Sequence, residues 1–133
     1  MHNRVSPWSS ESQPVTTKWL GDYGELVAAS YLRAQGYKLL RRNFRWGDSG
    51  EIDIVMRDGA TLVFVEVKTR RSREFLSPLA AVGKEKRALL RHGARQWLTL
   101  LWRDDIPTRF DVVELVLKAQ SLPDLVHHKG LFR

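Results

Sequence analysis

Glu51-Ile52-Asp53-Ile54-Val55, followed after a turn by Phe64-Val65-Glu66-Val67-Lys68, decides the fold of this chain. Both stretches alternate charged with apolar residues, the period of a β-strand. Residues two apart on a strand share a face, so Glu51 aligns with Asp53 and Glu66 with Lys68. Leu62 and Phe64 precede Glu66 on its face, while Val63, Val65 and Val67 occupy the other. A strand apolar on both sides belongs inside a sheet covered on both faces. Acids at the end of such a strand are costly unless they are paired or bound to metal. Two acids brought together beside a lysine can hold a divalent ion and prepare a water for attack on a phosphodiester.

The turn sets the register. Asp58-Gly59 is a strong two-residue hairpin signal. With that pair as the loop, Arg57 lies opposite Ala60, Asp53 opposite Phe64 and Glu51 opposite Glu66. Asp53 and Glu66 are then diagonal neighbours, roughly 7 Å apart at the backbone. A four-residue loop would set Asp53 directly opposite Glu66, still on one face. A slip of one residue would separate them.

Upstream, Thr17 to Gln35 reads as a helix. Its apolar stripe is Leu20, Tyr23, Val27, Tyr31 and Ala34, widened by Ala28 and Leu32. Thr17 is the expected N-cap, and Gly36 sits where a left-handed stop is favoured. Glu25, at the border of the stripe, can reach toward the sheet; an exposed helical glutamate is the plain alternative. Tyr37 to Arg45 reads as a first strand, Glu51 to Met56 as a second and Thr61 to Arg70 as a third. Arg70, Arg71 and Arg73 open a basic loop running to Pro78. Lys84 to Trp102 reads as a second helix and Arg109 to Leu117 as a fourth strand, so that helix suits a parallel crossover. The expected organisation is a flexible tail over 1–17, one domain over 18–117 and a polar C-terminal extension over 118–133. In that extension His127-His128-Lys129-Gly130 lacks metal-site spacing and reads as an exposed tail.

The chain of 133 residues is one domain's worth, and 43% hydrophobic content can support a core. Lys and Arg number 22 against 15 Asp and Glu, a net charge of +7 that suits an anionic partner, nucleic acid first. Lys84, Arg87, Arg91 and Arg95 form one row on the second helix, a solvated face or a track for phosphates. Arg42 and Arg70 extend this candidate nucleic-acid set. Cysteine is absent, which excludes disulfides and thiolate chemistry and fits a cytoplasmic protein. Neither a membrane span nor the apolar core of a signal peptide is visible.

An order of helix, three strands, helix and strand, with an acid on strand two and Glu-x-Lys on strand three, resembles the PD-(D/E)xK nuclease superfamily. More closely, the chain resembles the YraN-like family of small bacterial proteins, within that superfamily and similar to archaeal Holliday-junction resolvases. The matching pieces are Gly24-Glu25, Arg42-Asn43, Gly50-Glu51-Ile52-Asp53, Val63 to Arg70, Lys84, and Arg109-Phe110-Asp111. Ile52 stands where a proline usually precedes the acid. The resemblance implies an α/β fold with a restriction-endonuclease-like αβββαβ core, a mixed central sheet flanked by helices. It implies Asp53 and Glu66 as ligands of Mg²⁺ or Mn²⁺, with the Val67 carbonyl as a third. Lys68 would orient or deprotonate the attacking water, and Glu25 would complete the site. The expected activity is hydrolysis of DNA phosphodiesters, branched DNA included, and a homodimer would supply two active sites. The competing readings are a non-cleaving nucleic-acid-binding module on the same fold and an interaction protein whose acids and lysine form a structural salt-bridge network.

Overall fold

The structure, a computed structural model, describes residues 16–48, 50–71, 82–118 and 120–133. The expected tail as far as Val15, and the basic loop including Arg73 and Pro78, lie outside the described residues. Elements follow in the order α1 (Thr17–Ala34), β1 (Lys38–Trp46), β2 (Gly50–Asp58), β3 (Thr61–Arg70), α2 (Lys84–Leu100), β4 (Thr108–Val116) and β5 (Asp124–Phe132). The strands form one sheet in sequence order. Only β3 and β4 run parallel; the other neighbours are antiparallel. This is the expected mixed α/β sheet with helices and an αβββαβ order, extended by a fifth strand. Among the described residues no helix is long and apolar enough to cross a membrane.

The two-sided apolar pattern of β3 works as expected. Val63 and Val65 enter a core with Ala28, Ala29 and Leu32 of α1. Leu62 and Phe64 enter a second core with Leu90 and Ala94 of α2. Glycines set the closest approaches of both helices. A Cβ on Gly24 would come 1.8 Å from Thr69 Oγ1, and one on Gly93 would come 2.4 Å from the Trp46 ring. Gly24→Ala is therefore expected to cost about 1–3 kcal/mol by pushing α1 off β3. Gly21→Ala, with nothing within 4 Å among the described residues, should instead stabilise α1 by about 0.5–1 kcal/mol. Urea denaturation of both variants checks the opposite signs.

Three expectations are corrected. The N-cap is Thr16, whose Oγ1 accepts from Trp19 N at 3.0 Å. The hairpin closes on Gly59-Ala60, with Asp58 opposite Thr61. Positive φ falls on Gly59 alone in that turn (+59°), the II′ pattern. Asp58 stays in the strand because its Oδ2 accepts from Arg109 Nη1 at 3.0 Å. The new register is two residues from the expected one, so the faces keep their parity. Finally, His127 to Gly130 is no exposed tail but the middle of β5, held by long-range bonds.

Those bonds converge on Asp111, 1% exposed. It accepts from Arg109 Nε (2.9 Å), Arg109 Nη2 (3.2 Å) and Gly130 N (2.9 Å), and His127 Nε2 stands 2.7 Å away. Arg109 also donates to Tyr37 Oη at 2.6 Å. One buried acid thus ties β4 to β5, and its arginine ties both to the start of β1 and the end of β2.

Candidate metal and phosphate site

A regular strand would place Ile52 and Ile54 on one face. Here Ile52 lies in the α2-side core and Ile54 in the α1-side core. Their β1 partners sort the same way: Phe44, opposite Ile52, lies in the α2-side core, and Arg42, opposite Ile54, reaches Glu25 of α1. The two strands turn over together at Asn43 and Asp53. Asn43 absorbs the turn with φ +54°, a left-handed conformation that asparagine tolerates better than most residues. Paired residues of β2 and β3 run no further toward the site than Ile54 and Val65. Beyond them Asp53 Oδ2 accepts from Val67 N at 2.8 Å, so a side chain replaces a ladder bond where the strands part.

This geometry gathers acids from α1 and β2. Glu25, Glu51 and Asp53 each offer an oxygen within 4.8 Å of the others. With its amide nitrogen turned toward both carboxylates, Asn43 donates to Glu25 Oε1 at 2.8 Å and to Glu51 Oε1 at 2.7 Å. Arg42 stands 3.7 Å from Glu25, and Arg45 stands 3.1 Å from Glu51. Glu66, 3% exposed, adds a fourth acid beside Asp53. Its Oε2 lies 3.2 Å from Lys68 Nζ and 3.6 Å from Lys86 Nζ, while its buried Oε1 has no hydrogen-bond partner among the described residues.

The electrostatics follow. Burial, then the neighbouring Glu66 charge, pushes the Asp53 carboxyl up to about 8, against the Val67 amide that favours its ionised form. Burial also raises Glu25, opposed by Arg42 and reinforced by Glu51. Hard carboxylate oxygens crowded enough to retain a proton suit a cation that takes oxygen ligands, Mg²⁺ or Mn²⁺ rather than a thiophilic metal.

Asp53, Glu66, Lys68 and Glu25 therefore meet, and Val67 joins them through its backbone. The basic set disperses. Arg42 faces Glu25. Arg70 lies 3.9 Å from Glu114 with a mostly buried side chain. Arg91 covers the Phe132 ring and donates through Nε to the Arg133 carbonyl. Lys84 is exposed and Arg87 half-buried, on the turn of α2 that carries Lys86 to Glu66. Arg95 is exposed but about 13 Å farther along the helix axis than Lys86.

Asn43, Glu51 and Lys86 were missed as site residues. Glu51 had a signal, its spacing from Asp53. Lys86 was hidden beside the more regular Lys84 row. Asn43 belonged to a matching piece of the resemblance, but nothing local marks it as a left-handed residue inside a basic strand.

The family model described as "Uncharacterised protein family UPF0102" matches residues 24–115, a span that contains all four acids. A UPF0102 protein of Geotalea uraniireducens is 42% identical over 115 residues, 86% of this chain and 90% of that protein. One from Geobacter sulfurreducens is 43% identical over 115 residues, 86% and 89% of the two chains. One from Streptomyces coelicolor is 42% identical over 115 residues, 84% and 87% of the two chains.

Proposed function

The chain belongs to the uncharacterised protein family UPF0102, the YraN-like group its sequence resembles, and from the acid cluster inside the matched span we propose a metal-dependent nuclease of the PD-(D/E)xK type acting on DNA. The observation that carries this reading is the convergence of Glu25, Glu51 and Asp53 within 4.8 Å, beside buried Glu66. Asp53, Glu66 and the Val67 carbonyl would hold the ion, with Glu25 and Glu51 completing its surroundings. A bound Mg²⁺ or Mn²⁺ would acidify a coordinated water and neutralise charge growing on the phosphate. Lys68, one-third exposed and 3.2 Å from Glu66, orients the nucleophile and offsets negative charge. Lys86 steadies Glu66 from α2. Asn43 holds Glu25 and Glu51 together against their mutual repulsion. Lys84 and Arg87 lie where a phosphate backbone would approach, and branched DNA is the substrate that the resolvase likeness favours.

The two lysines on Glu66 favour a second reading, in which the acids serve a salt-bridge network in a non-cleaving DNA-binding module. Titration with Mn²⁺ and incubation with linear, flap and four-way-junction DNA separate the two. The nuclease reading expects Mn²⁺ binding and Mn²⁺-dependent cleavage that falls at least ~100-fold in Lys68→Ala, the scale of a lost charge-stabilising group. Binding of DNA without either result favours the second reading. Cleavage undiminished in Lys68→Ala points to a contaminant.

A further inference from the structure

The far end of α2 presents a different surface. Leu100 is 66% exposed, Leu101 43% and Trp102 93%, three large apolar residues in succession. The helix closes with a Schellman motif: Trp102 N donates to Thr99 O at 3.0 Å and Arg103 N to Leu98 O at 3.1 Å. Trp102 therefore occupies the left-handed position that glycine usually fills, with φ +57°. A bulky residue in that conformation is strained, and here no burial offsets the strain. Beside it opens a surface cavity of about 730 Å³, lined by Arg95, Leu98, Thr99, Leu100, Trp102 and Asp104.

We propose that this surface is a homodimer interface, in which a second copy of the chain covers the cavity and the two Trp102 indoles pack near a two-fold axis. Knob and hollow lie on the same patch, which is the requirement of an isologous contact. The rim carries both signs: Arg103 and Asp105 pair within the chain at 2.7 Å, which leaves Arg95 and Asp104 as the opposite rim charges that a second copy would match. The same aspartates and the exposed leucines make it a poor cradle for a phosphate backbone. Aromatic anchors ringed by polar residues are the usual centres of protein contacts.

The test is sedimentation velocity of the full chain from about 1 to about 100 μM, a range that reports micromolar self-association. Wild type is expected to pass from monomer to dimer across it. Trp102→Gly is expected to stay monomeric throughout. Its thermal midpoint at the lowest concentration should equal or exceed that of wild type, because glycine relieves the left-handed strain. Leu100→Glu, on the same rim, should lose the dimer as well. A wild type that remains monomeric at the highest concentration overturns the proposal. So does a dimer that persists in Trp102→Gly and Leu100→Glu.

Discussion

Asp53→Asn is expected to raise the stability of the metal-free protein while abolishing its response to Mn²⁺. The asparagine Oδ1 can still accept from Val67 N, so the strand junction keeps its bond. What disappears is a carboxylate crowded by burial, Glu66 and Glu25. The folded protein holds the Asp53 proton up to about 8, whereas the unfolded chain releases it near the ordinary aspartate value of 3.8. Between those values the native state binds more protons than the unfolded state, so wild-type stability falls as pH rises through the window. Below it both states are protonated, and above it the loss is complete. The limiting slope for one proton is about 1.4 kcal/mol per pH unit. Thermal midpoints from pH 4 to pH 9 should show that decline in wild type and a flatter profile in Asp53→Asn. Because an ion must displace the same proton, apparent Mn²⁺ affinity of wild type should rise up to about tenfold per pH unit below 8. A variant that still gains stability from Mn²⁺, or that loses stability without it, would remove Asp53 from the ligand set.

Asp111→Ala is the second large effect, and its sign is opposite. The carboxylate is fully buried and satisfies Arg109, His127 and the Gly130 amide at once. Truncation leaves Asp58 and Tyr37 as the remaining partners of the guanidinium among the described residues and removes the side-chain tether of β5. Breaking a buried pair from one side costs about 3–5 kcal/mol, a large share of a small domain's total. Burial alone would raise the Asp111 pKa, but the bonds from Arg109, Gly130 and His127 outweigh it and hold the group below the usual carboxylate range. A depressed acid contributes stability that is present above the unfolded pKa and lost as pH falls through the folded one. Acid unfolding below about pH 4 is therefore expected to flatten in Asp111→Ala, at the cost of a much lower urea midpoint near neutrality. An unchanged midpoint would mean that the network is dispensable.

The elements that alternate or repeat cleanly could be read from the chain. β3 was legible to the residue, Thr61–Arg70, because a strand buried on both faces leaves a continuous apolar run. So was the meeting of Asp53, Glu66 and Lys68, whose parity survived a turn misplaced by one residue and a register displaced by two. The route by which they meet was not legible. Strict alternation aligned Glu51 with Asp53, yet the strand turns over between Ile52 and Ile54, and Asn43 compensates from a neighbouring strand. β5 was missed for a related reason. His127 and His128 look solvated in sequence, and only Asp111 and Glu114, more than ten residues away, give them partners. The basic row of α2 was read from helical spacing, which says nothing about what the C-terminal residues fold back to cover, such as Arg91 over Phe132.

Glu25, Glu51 and Glu66 face Arg42, Arg45, Lys68 and Lys86. Such a ring is already close to electrical balance, so an arriving dication would leave a surplus of positive charge. A polyanion entering afterwards would meet attraction, and one entering first would meet none to spare. Ion and nucleic acid should then each tighten the other by an equal factor, since coupling free energy is reciprocal. In a cell where free divalent ions fluctuate, the arrangement would make grip on the polyanion contingent on loading.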